Sequence, residues 1–510
     1  MVEHGGGAPP AGWDVAGLFT RRIALIMGVN LVGSLAAIVV LPMLTRSMPA
    51  SDFGIWTQVT VTAILAPLLL GLGLPWAMVR FLAAEDRRER VAEGLGSVLV
   101  AVAAVSTATA VALAALAPQV AAWLFGGRVD VIRLTAVIVP LECVSAVLYN
   151  YLRTFQHVRL YSGFIVLQTA LLLGLISATV VLGWGLVGAV LSLLAARAVT
   201  VLAMAIAIVR EVDVRWPDFS MLRQLLRFGL PMVPVDLSEW ALSSADRYLI
   251  GILAGIAWVG YYGPGYAVGG IILMLVVPLR FLLPPALSEM YERGRVDQVR
   301  AFLTHGLRYF LALSIPAAVG LGLLARPLLL LLTTEEIARE GHVVVPVVAM
   351  AMVLAGVQAI MSQVLLLQKR TGTLGAVMVA AAAIDIAVNV VLIPRTGILG
   401  AALAALVAYL FATVATGALA GGELRPGPDI VVVGKIVTST LAMMAVVLGL
   451  EAIWRPPLLL WIVAAAALGA LTFAGTTVLL RTFSPREWGF FWHLLGRGRP
   501  KGSAGRDAGR

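Results

Sequence analysis

Fourteen stretches of this chain are apolar over about twenty residues each, and this pattern constrains the fold more than any other feature. A helix needs roughly 20 apolar residues to cross the hydrocarbon core of a bilayer. None of the stretches alternates with period two, so they predict helices and exclude the strands of a membrane barrel. The stretches are 23–46, 53–79, 94–117, 131–152, 160–182, 185–209, 228–253, 258–285, 305–325, 343–367, 372–394, 397–420, 433–453 and 457–480.

Charge is scarce and confined mostly to the connections between these stretches. Of the 510 residues, 60% are hydrophobic and only 13% are charged, whereas a soluble domain carries roughly 25% charged residues. The net charge of +10 does not predict a nucleic-acid partner, because the basic residues flank apolar segments and face lipid headgroups there. The sequence therefore predicts an all-α integral membrane protein of about fourteen transmembrane helices, with membrane lipids as its surroundings.

The distribution of arginine and lysine predicts the orientation. One side of the membrane receives the termini and every connection from an even to an odd segment, and it holds most of the basic residues. By the positive-inside rule this side is cytoplasmic, so we expect a multi-pass protein of the cell membrane with both termini inside. The opposite side holds only Arg46, Arg128, Arg133, Arg326, Arg339, Arg395 and Arg455.

An internal repeat relates segments 1–6 to segments 7–12 at an offset of about 206 to 212 residues. Asp52 to Trp56 align with Trp258 to Tyr262, and Gly185 to Ala189 align with Gly397 to Ala401. Six helices per unit give both units the same orientation, which predicts two lobes around a central cavity. The expected divisions are a disordered cytoplasmic N-terminus 1–20, an N-lobe 21–210, a cytoplasmic linker 211–227, a C-lobe 228–421, a helix pair 422–480 and a basic cytoplasmic tail 481–510.

Several short motifs resemble the polysaccharide-export, Wzx-like branch of the multidrug/oligosaccharidyl-lipid/polysaccharide exporter superfamily. They are Leu44-Thr45-Arg46, Ser51-Asp52-Phe53-Gly54, Phe228-Gly229-Leu230-Pro231, the run Ala245 to Gly251, and Gly260-Tyr261-Tyr262. The resemblance covers nearly the whole chain. It implies two six-helix lobes that form a V-shaped cavity, and a polyprenyl-(pyro)phosphate-linked glycan as cargo.

Charges inside a membrane cost roughly 2.5–3.5 kcal/mol each at a helix centre, so those that are retained are candidates for function. On segment seven a polar stripe is predicted within an arc of about 100°; it contains Asp236, Glu239, Ser243, Asp246 and Arg247. The stripe is interpreted either as a cavity wall that meets a proton, a cation or a sugar, or as a packing seam between helices.

Segment eight carries Tyr262, Tyr266 and Arg280 on one face, with Pro278 as a predicted kink. Aromatic rings stack on sugars, and a guanidinium binds phosphate in a bidentate manner. For the two tyrosines, an aromatic belt at the outer interface is the alternative explanation.

Four further ionisable residues in other segments are candidates. Arg197 on segment six is interpreted as a phosphate ligand or as a structural partner of Glu142 on segment four. Arg46 caps a helix end, where snorkelling to the interface is the alternative explanation, and belongs to a motif of the resemblance. Asp385 and Asn389 form an i,i+4 pair on segment eleven, interpreted as an ion site or as a hydrogen-bonded contact between helices. We expect substrate contacts from Arg280, Arg197, Arg247, Arg46, Tyr262 and Tyr266, and ion coupling through Asp236, Glu239, Asp246, Asp385 and Glu142.

The sequence lacks several signatures of catalysis. It contains no G-x-x-x-x-G-K-[S/T] loop and no H-E-x-x-H motif, and Cys143 is its only cysteine. We therefore expect no enzyme activity, no cofactor and no bound metal.

The combined prediction is a flippase that moves a lipid-linked oligosaccharide repeat unit by alternating access. Transport is driven by an H⁺ or Na⁺ gradient, or it is uncoupled. Its partners would include a polysaccharide polymerase and chain-length machinery. The alternatives are a peptidoglycan-precursor flippase, an ion-coupled drug or metabolite exporter of the same superfamily, and a membrane glycan polymerase or ligase. The last usually carries a large outer catalytic loop, whereas the outer connections here are short.

Overall fold

The structure is a computed structural model, and it describes residues 28–482 apart from 30, 31, 34, 86, 211–216, 423, 425, 428, 429 and 455 and the side chains of 278, 280–282 and 285. The predicted N-terminal extension 1–20 lies outside the described residues. So do most of the predicted tail 481–510 and the side chain of Arg280.

All the regular elements in the described part of the chain are helical. The α-helices are α1 Leu35–Ser47, α2 Ala50–Leu70, α3 Leu74–Ala77, α4 Arg88–Ala115, α5 Ala117–Leu124, α6 Val129–Thr154, α7 Val158–Val181, α8 Gly185–Val209, α9 Phe219–Gly229, α10 Val233–Trp240, α11 Asp246–Leu253, α12 Ile256–Gly269, α13 Val276–Glu292, α14 Val296–Leu323, α15 Ala325–Leu332, α16 Glu335–Gly341, α17 Val344–Leu367, α18 Thr371–Thr396, α19 Ile398–Leu419, α20 Ile430–Ile453 and α21 Leu458–Leu479. π-helical turns occupy Met78–Leu82 and Ala241–Ala245, and 3₁₀ turns occupy Leu230–Met232 and Gly270–Leu275.

Eleven of the described helices are long and apolar enough to cross a membrane, which confirms the predicted class. The expected count of fourteen is not confirmed. Only α1, a shorter apolar helix, is described within the first predicted segment. Segments seven and eight are each divided into shorter helices, for the reasons given next.

The predicted helix 228–253 is interrupted twice. Pro231 and Pro234 lack the N–H that an α-helix requires, and they lie in the 3₁₀ turn and in the first turn of α10. The π-helical turn Ala241–Ala245 then separates α10 from α11. A π turn holds one extra residue and so rotates the faces of the helix on either side of it relative to each other.

The expected continuous polar stripe on this segment is therefore not observed. Asp246 and Arg247, after the π turn, are 3% and 8% exposed. Asp236, before it, is half-buried, and Glu239 is exposed. The prediction assumed a uniform 100° per residue, and the π turn breaks that assumption.

The predicted helix 258–285 is divided into α12 and α13 by the 3₁₀ turn Gly270–Leu275. Pro278 has no N–H to donate to the carbonyl four residues earlier, so regular α-helical bonding fails just before it. Regular α-helical structure is thus interrupted just before Pro278, next to the residue at which the sequence predicts a kink.

The same packing order occurs twice along the chain. We call α1–α8 the first helix set; within it α6 packs against α2, α4 and α8, and α8 packs against α7. We call α10–α19 the second helix set; within it α17 packs against α12, α14 and α19, and α19 packs against α18. These pairs correspond one to one under the offset that the sequence repeat predicts. The final pair, α20 and α21, packs together and against α14.

The two helix sets approach each other most closely where α2 crosses α12. A Cβ on Gly54 would lie 2.1 Å from the Ile256 carbonyl oxygen, and one on Gly260 would lie 1.9 Å from the Ala50 carbonyl oxygen. Only glycine permits this backbone contact. Gly54 and Gly260 occupy equivalent positions in the sequence repeat, so each repeat offers the same residue to the other.

A second contact lies at the far end of α2. Gly73 has a positive φ of 66°, and a Cβ there would lie 2.0 Å from the Gly229 carbonyl oxygen. Nearby, the Trp76 indole donates a hydrogen bond of 3.0 Å to Oδ2 of Asp236. The predicted linker contains the amphipathic helix α9, which buries Leu225 against α3 and α4. The helix sets therefore touch at both ends of α2.

Candidate functional site

A cavity of about 460 Å³ lies between the two helix sets. Its walls come from α1, α2 and α7 of the first set and from the π-helical turn, α11 and α12 of the second. A volume of this size is within the range of small-molecule sites, roughly 300–1,000 Å³. Most of the lining is apolar, and its polar members are Thr57, Thr60, Gln168, Thr169, Ser244 and Arg247.

Arg247 is the charged residue that the second set presents to this cavity. Its Nη1 lies 2.7 Å from Oδ1 of Asp246 and also donates to the Ser243 carbonyl. Its guanidinium carbon lies 3.8 Å from the centre of the Tyr266 ring, which is cation–π geometry. Burial of this charge is tolerated because the carboxylate and the ring both stabilise it.

Tyr262 completes this cluster by donating its hydroxyl to Oδ2 of Asp246. The ring is fully buried, at 0% exposure, and lies 5.5 Å from the guanidinium carbon of Arg247. The alternative of an aromatic belt is wrong for Tyr262, because a belt residue is at the lipid interface and this one is inside the protein. Helix α2 adds a bond of 2.8 Å from Gln58 Nε2 to the Arg247 carbonyl.

Asp385 and Asn389 lie on α18 and are both buried, at 1% and 0% exposure. Asp385 interacts electrostatically with Asp246 and Arg247. Among the described residues, Oδ1 of each side chain has no hydrogen-bond partner. Buried acceptors left unpaired are costly, so this pair is a place where a donor or a cation would be favourable.

Arg197 belongs to a second polar network within the first set. Its Nε lies 2.7 Å from Oε1 of Glu142, and its Nη1 donates to Ser145 at 3.0 Å and to Gln168 at 2.7 Å. The two ionic side chains are only 15% and 8% exposed. Arg197 is therefore the structural partner of Glu142, and it reaches the cavity through Gln168.

The remaining predicted residues lie apart from the cavity. Arg46 donates from Nη2 to the Leu331 carbonyl at 2.7 Å, which ties the end of α1 to α15. Asp236 accepts from Trp76, and Glu239 is exposed. The side chain of Arg280 lies outside the described residues.

Sequence reasoning missed three residues that join these groups. Gln58 and Trp76 connect the two helix sets, and Gln168 lies between the cavity and Arg197. Gln58 and Gln168 carry no formal charge, yet an amide in the middle of an apolar segment is also a signal, since its polar atoms need partners in a membrane.

The arrangement offers hydrogen-bond donors and a cation to a ligand. Within the described residues no group of three or more His, Cys, Asp or Glu side chains is placed to hold a metal ion. The cavity offers hydrogen-bond donors from both helix sets, the Trp56 side chain and threonine hydroxyls.

Fold and cavity together define a multi-pass helical membrane protein with a cavity between its two helix sets. A family model described as polysaccharide biosynthesis protein matches residues 19–291, which is more than half of the chain. The chain belongs to this family. No curated protein matches it in sequence.

Solved structures show which fold this is. The chain is similar to the lipid II flippase MurJ in an inward closed conformation, with a TM-score of 0.75, 13% identity, and coverage of 94% of this chain and 100% of that one. It is also similar to an inward-facing multidrug resistance MATE family transporter of the MOP superfamily, with a TM-score of 0.62, 16% identity, and coverage of 76% and 94%. A Vibrio cholerae MATE transporter matches with a TM-score of 0.56 and 18% identity over 79% of this chain and 96% of its own. The fold is that of the MOP exporters.

Proposed function

We propose that this protein is a flippase that moves a polyprenyl-(pyro)phosphate-linked oligosaccharide across the cytoplasmic membrane by alternating access. The observation that carries the proposal is the cavity between the two helix sets with the guanidinium of Arg247 in its wall. Membership in a family of polysaccharide biosynthesis proteins supports a glycan cargo. The protein would act on this cargo by transport alone, without catalysis.

The proposed binding mode places the charged headgroup in the cavity while the lipid tail stays in the bilayer. Arg247 uses Nη1 for Asp246 and for the Ser243 carbonyl, and a guanidinium has five N–H donors, so others remain for an anionic oxygen. In a site shielded from water this attraction is stronger than in bulk solvent. Trp56 gives the sugar an aromatic neighbour. Arg280, Arg197, Arg46, Tyr262 and Tyr266 stay candidates for contacts in other states of the cycle.

Transport requires the two helix sets to move relative to each other. We propose that residues 21–210 and 228–421 rock as two lobes, with 422–480 following the second. The contacts between Gly54 and Gly260 and between Trp76 and Asp236 would open alternately. The positive-inside rule places the end of α2 at Leu70, and both termini, on the cytoplasmic side.

Coupling to H⁺ or Na⁺ would involve the buried carboxylates. Asp385 has an unpaired oxygen and lies in electrostatic range of Asp246 and Arg247. A proton or a sodium ion there would change the field around Arg247. Asp236, Glu239 and Glu142 are weaker candidates, since Asp236 and Glu142 already have partners and Glu239 is exposed.

A peptidoglycan-precursor flippase is the second candidate. It is favoured by the similarity in fold to a lipid II flippase over 94% of this chain. At 13% identity this similarity concerns the fold alone, so the cargo is decided by assay.

The test is reconstitution in liposomes with a fluorescent polyprenyl-pyrophosphate trisaccharide, followed by measurement of its movement between leaflets. Arg247→Gln should slow movement at least about tenfold, because an interaction with an ionised group is lost. Arg395→Gln is the matched control: this arginine is exposed and bonds only its own helix through the Val391 carbonyl. Movement of lipid II but not of the trisaccharide lipid would favour the second candidate. Movement of neither by the wild type would refute both.

A further inference from the structure

Gln168 on α7 lines the cavity from the first helix set. Its Oε1 accepts two hydrogen bonds, one of 2.7 Å from Nη1 of Arg197 and one of 3.1 Å from the Tyr149 hydroxyl. A guanidinium can only donate, so the atom of the amide that faces Arg197 is the oxygen. The orientation of the amide group is therefore determined by its partners.

The amide nitrogen of Gln168 has no partner in the network that holds its oxygen. Among the described residues, no protein acceptor pairs with Nε2 of Gln168, and that nitrogen is not sealed inside the protein. The two N–H groups of this lining residue are therefore free to donate to a ligand. Since the oxygen accepts from a cation, the amide is polarised and its N–H groups become better donors.

The groups behind Gln168 hold it in place. Arg197 is anchored by Glu142 at 2.7 Å and by Ser145 at 3.0 Å. This ion pair is internally neutral, so it supports the amide without adding net charge to the cavity. Such pre-organisation lowers the cost of ordering the binding group.

Arg247 presents its guanidinium to the same cavity from the second helix set. The ring of Tyr266 fixes its plane, with 3.8 Å between the guanidinium carbon and the ring centre. Donors therefore reach one cavity from both sides of the interface that must open and close. Acceptor oxygens with negative charge are what such an arrangement binds best.

We infer that Gln168 and Arg247 together bind one anionic oxygen group of the cargo headgroup, either a phosphoryl or a sugar carboxylate, and so bridge the two helix sets. This inference rests on the proposed flippase function and adds Gln168 as a residue that selects the cargo. Arg197 and Glu142 are positioning residues that act through Gln168.

The key variant is Gln168→Glu. It keeps an oxygen to accept from Arg197 and Tyr149, so the network behind it survives, but it replaces both N–H donors by a second acceptor. Because this variant also adds a negative charge to the cavity wall, the neutral variant Gln168→Met decides between the two roles: if Gln168 only packs against its neighbours, Gln168→Met should bind the probes as the wild type does. If it donates to an anion, binding should weaken at least about tenfold. Gln168→Met removes the donors without adding charge and should also weaken binding. Gln224→Glu, on the exposed face of α9, is the matched control.

Two probes identify the source of the anionic group. One is a fluorescent polyprenyl-pyrophosphate carrying a neutral trisaccharide, and the other carries a uronic acid in the same trisaccharide. Weaker binding of both to the neutral variant Gln168→Met assigns the contact to a phosphoryl group. Weaker binding of the uronic-acid probe alone assigns it to the sugar carboxylate.

Dissociation constants in detergent and movement between leaflets are measured separately. Unchanged dissociation constants for both probes in Gln168→Glu would overturn the inference. Binding that depends on Gln168 without movement by the wild type would uphold the inference and refute the flippase function. A wild type that binds neither probe would overturn both.

Discussion

Replacing Gly260 by alanine should force apart the two helix sets where α2 crosses α12. The new Cβ would lie 1.9 Å from the carbonyl oxygen of Ala50 and 2.8 Å from its carbonyl carbon, both of which are backbone atoms. No rotamer change can relieve such a contact. Ordinary contact begins at 3.4 Å, so the helices must separate by about 3.4 − 1.9 = 1.5 Å.

Overpacking of this kind costs roughly 1–3 kcal/mol. The substitution should therefore destabilise the observed arrangement, in which this end of α2 contacts α12, by about that free energy relative to arrangements in which the two helices are apart. The population should therefore shift about 5- to 150-fold toward the open arrangement. Gly54→Ala should act in the same direction, because its Cβ would lie 2.1 Å from the Ile256 carbonyl oxygen.

The assay is the labelling rate of a cysteine at Thr60, which lines the cavity, with a membrane-impermeant maleimide. Cys143 is buried and adds little background. Gly263→Ala is the control on the same helix, since its Cβ would meet Thr57 Oγ1 at an ordinary 3.4 Å. The probe is at Thr60 in both variants, so that Thr57 keeps its side chain. Equal labelling rates and equal apparent unfolding temperatures in Gly260→Ala and Gly263→Ala would refute the reasoning.

Two further predictions concern contacts away from that crossing. Trp76→Phe removes the hydrogen bond to Asp236, which is worth about 0.5–1 kcal/mol at this exposed position. A cysteine at Ala77 should therefore be labelled about two- to fivefold faster. An unchanged labelling rate would show that the bond does not hold the two helix sets together beyond the Leu70 end of α2. Arg197→Gln leaves Glu142 buried without its cation and should cost about 3–5 kcal/mol, seen as a lower apparent unfolding temperature. The double variant with Glu142→Gln should recover most of that loss, and failure to recover would mean that Arg197 stabilises the fold in another way.

The long helices were predictable because a membrane leaves the backbone no other partner than itself. Predicted and observed limits agree closely for segment six, 185–209 against Gly185–Val209, and for segment ten, 343–367 against Val344–Leu367. The aligned glycines Gly54 and Gly260 were also visible in the sequence, although their mutual contact was not.

The local irregularities were not predictable. Nothing in Ala241 to Ala245 marks a π-helical turn, and the helices on either side of it, α10 and α11, both pack against α18. The turn separates Asp236 from Asp246 on the surface of the helix. Gln168 was missed for a different reason: its importance arises from Arg197, which is 29 residues away in sequence.

Ion pairing of Arg197 and Arg247 does not argue against a transport cavity. A lone guanidinium in a membrane protein is too costly to keep, so any arginine held ready for an anionic cargo needs a partner while the cavity is empty. The two arginines differ in how they reach the cavity and in which of their nitrogen atoms already have hydrogen-bond partners. Arg197 gives Nε to Glu142 and Nη1 to Ser145 and Gln168, and reaches the cavity only through that amide. Arg247 uses Nη1 for Asp246 and the Ser243 carbonyl, contacts the ring of Tyr266 and lines the cavity itself, so we expect a cargo oxygen to bind it without first breaking the pair with Asp246.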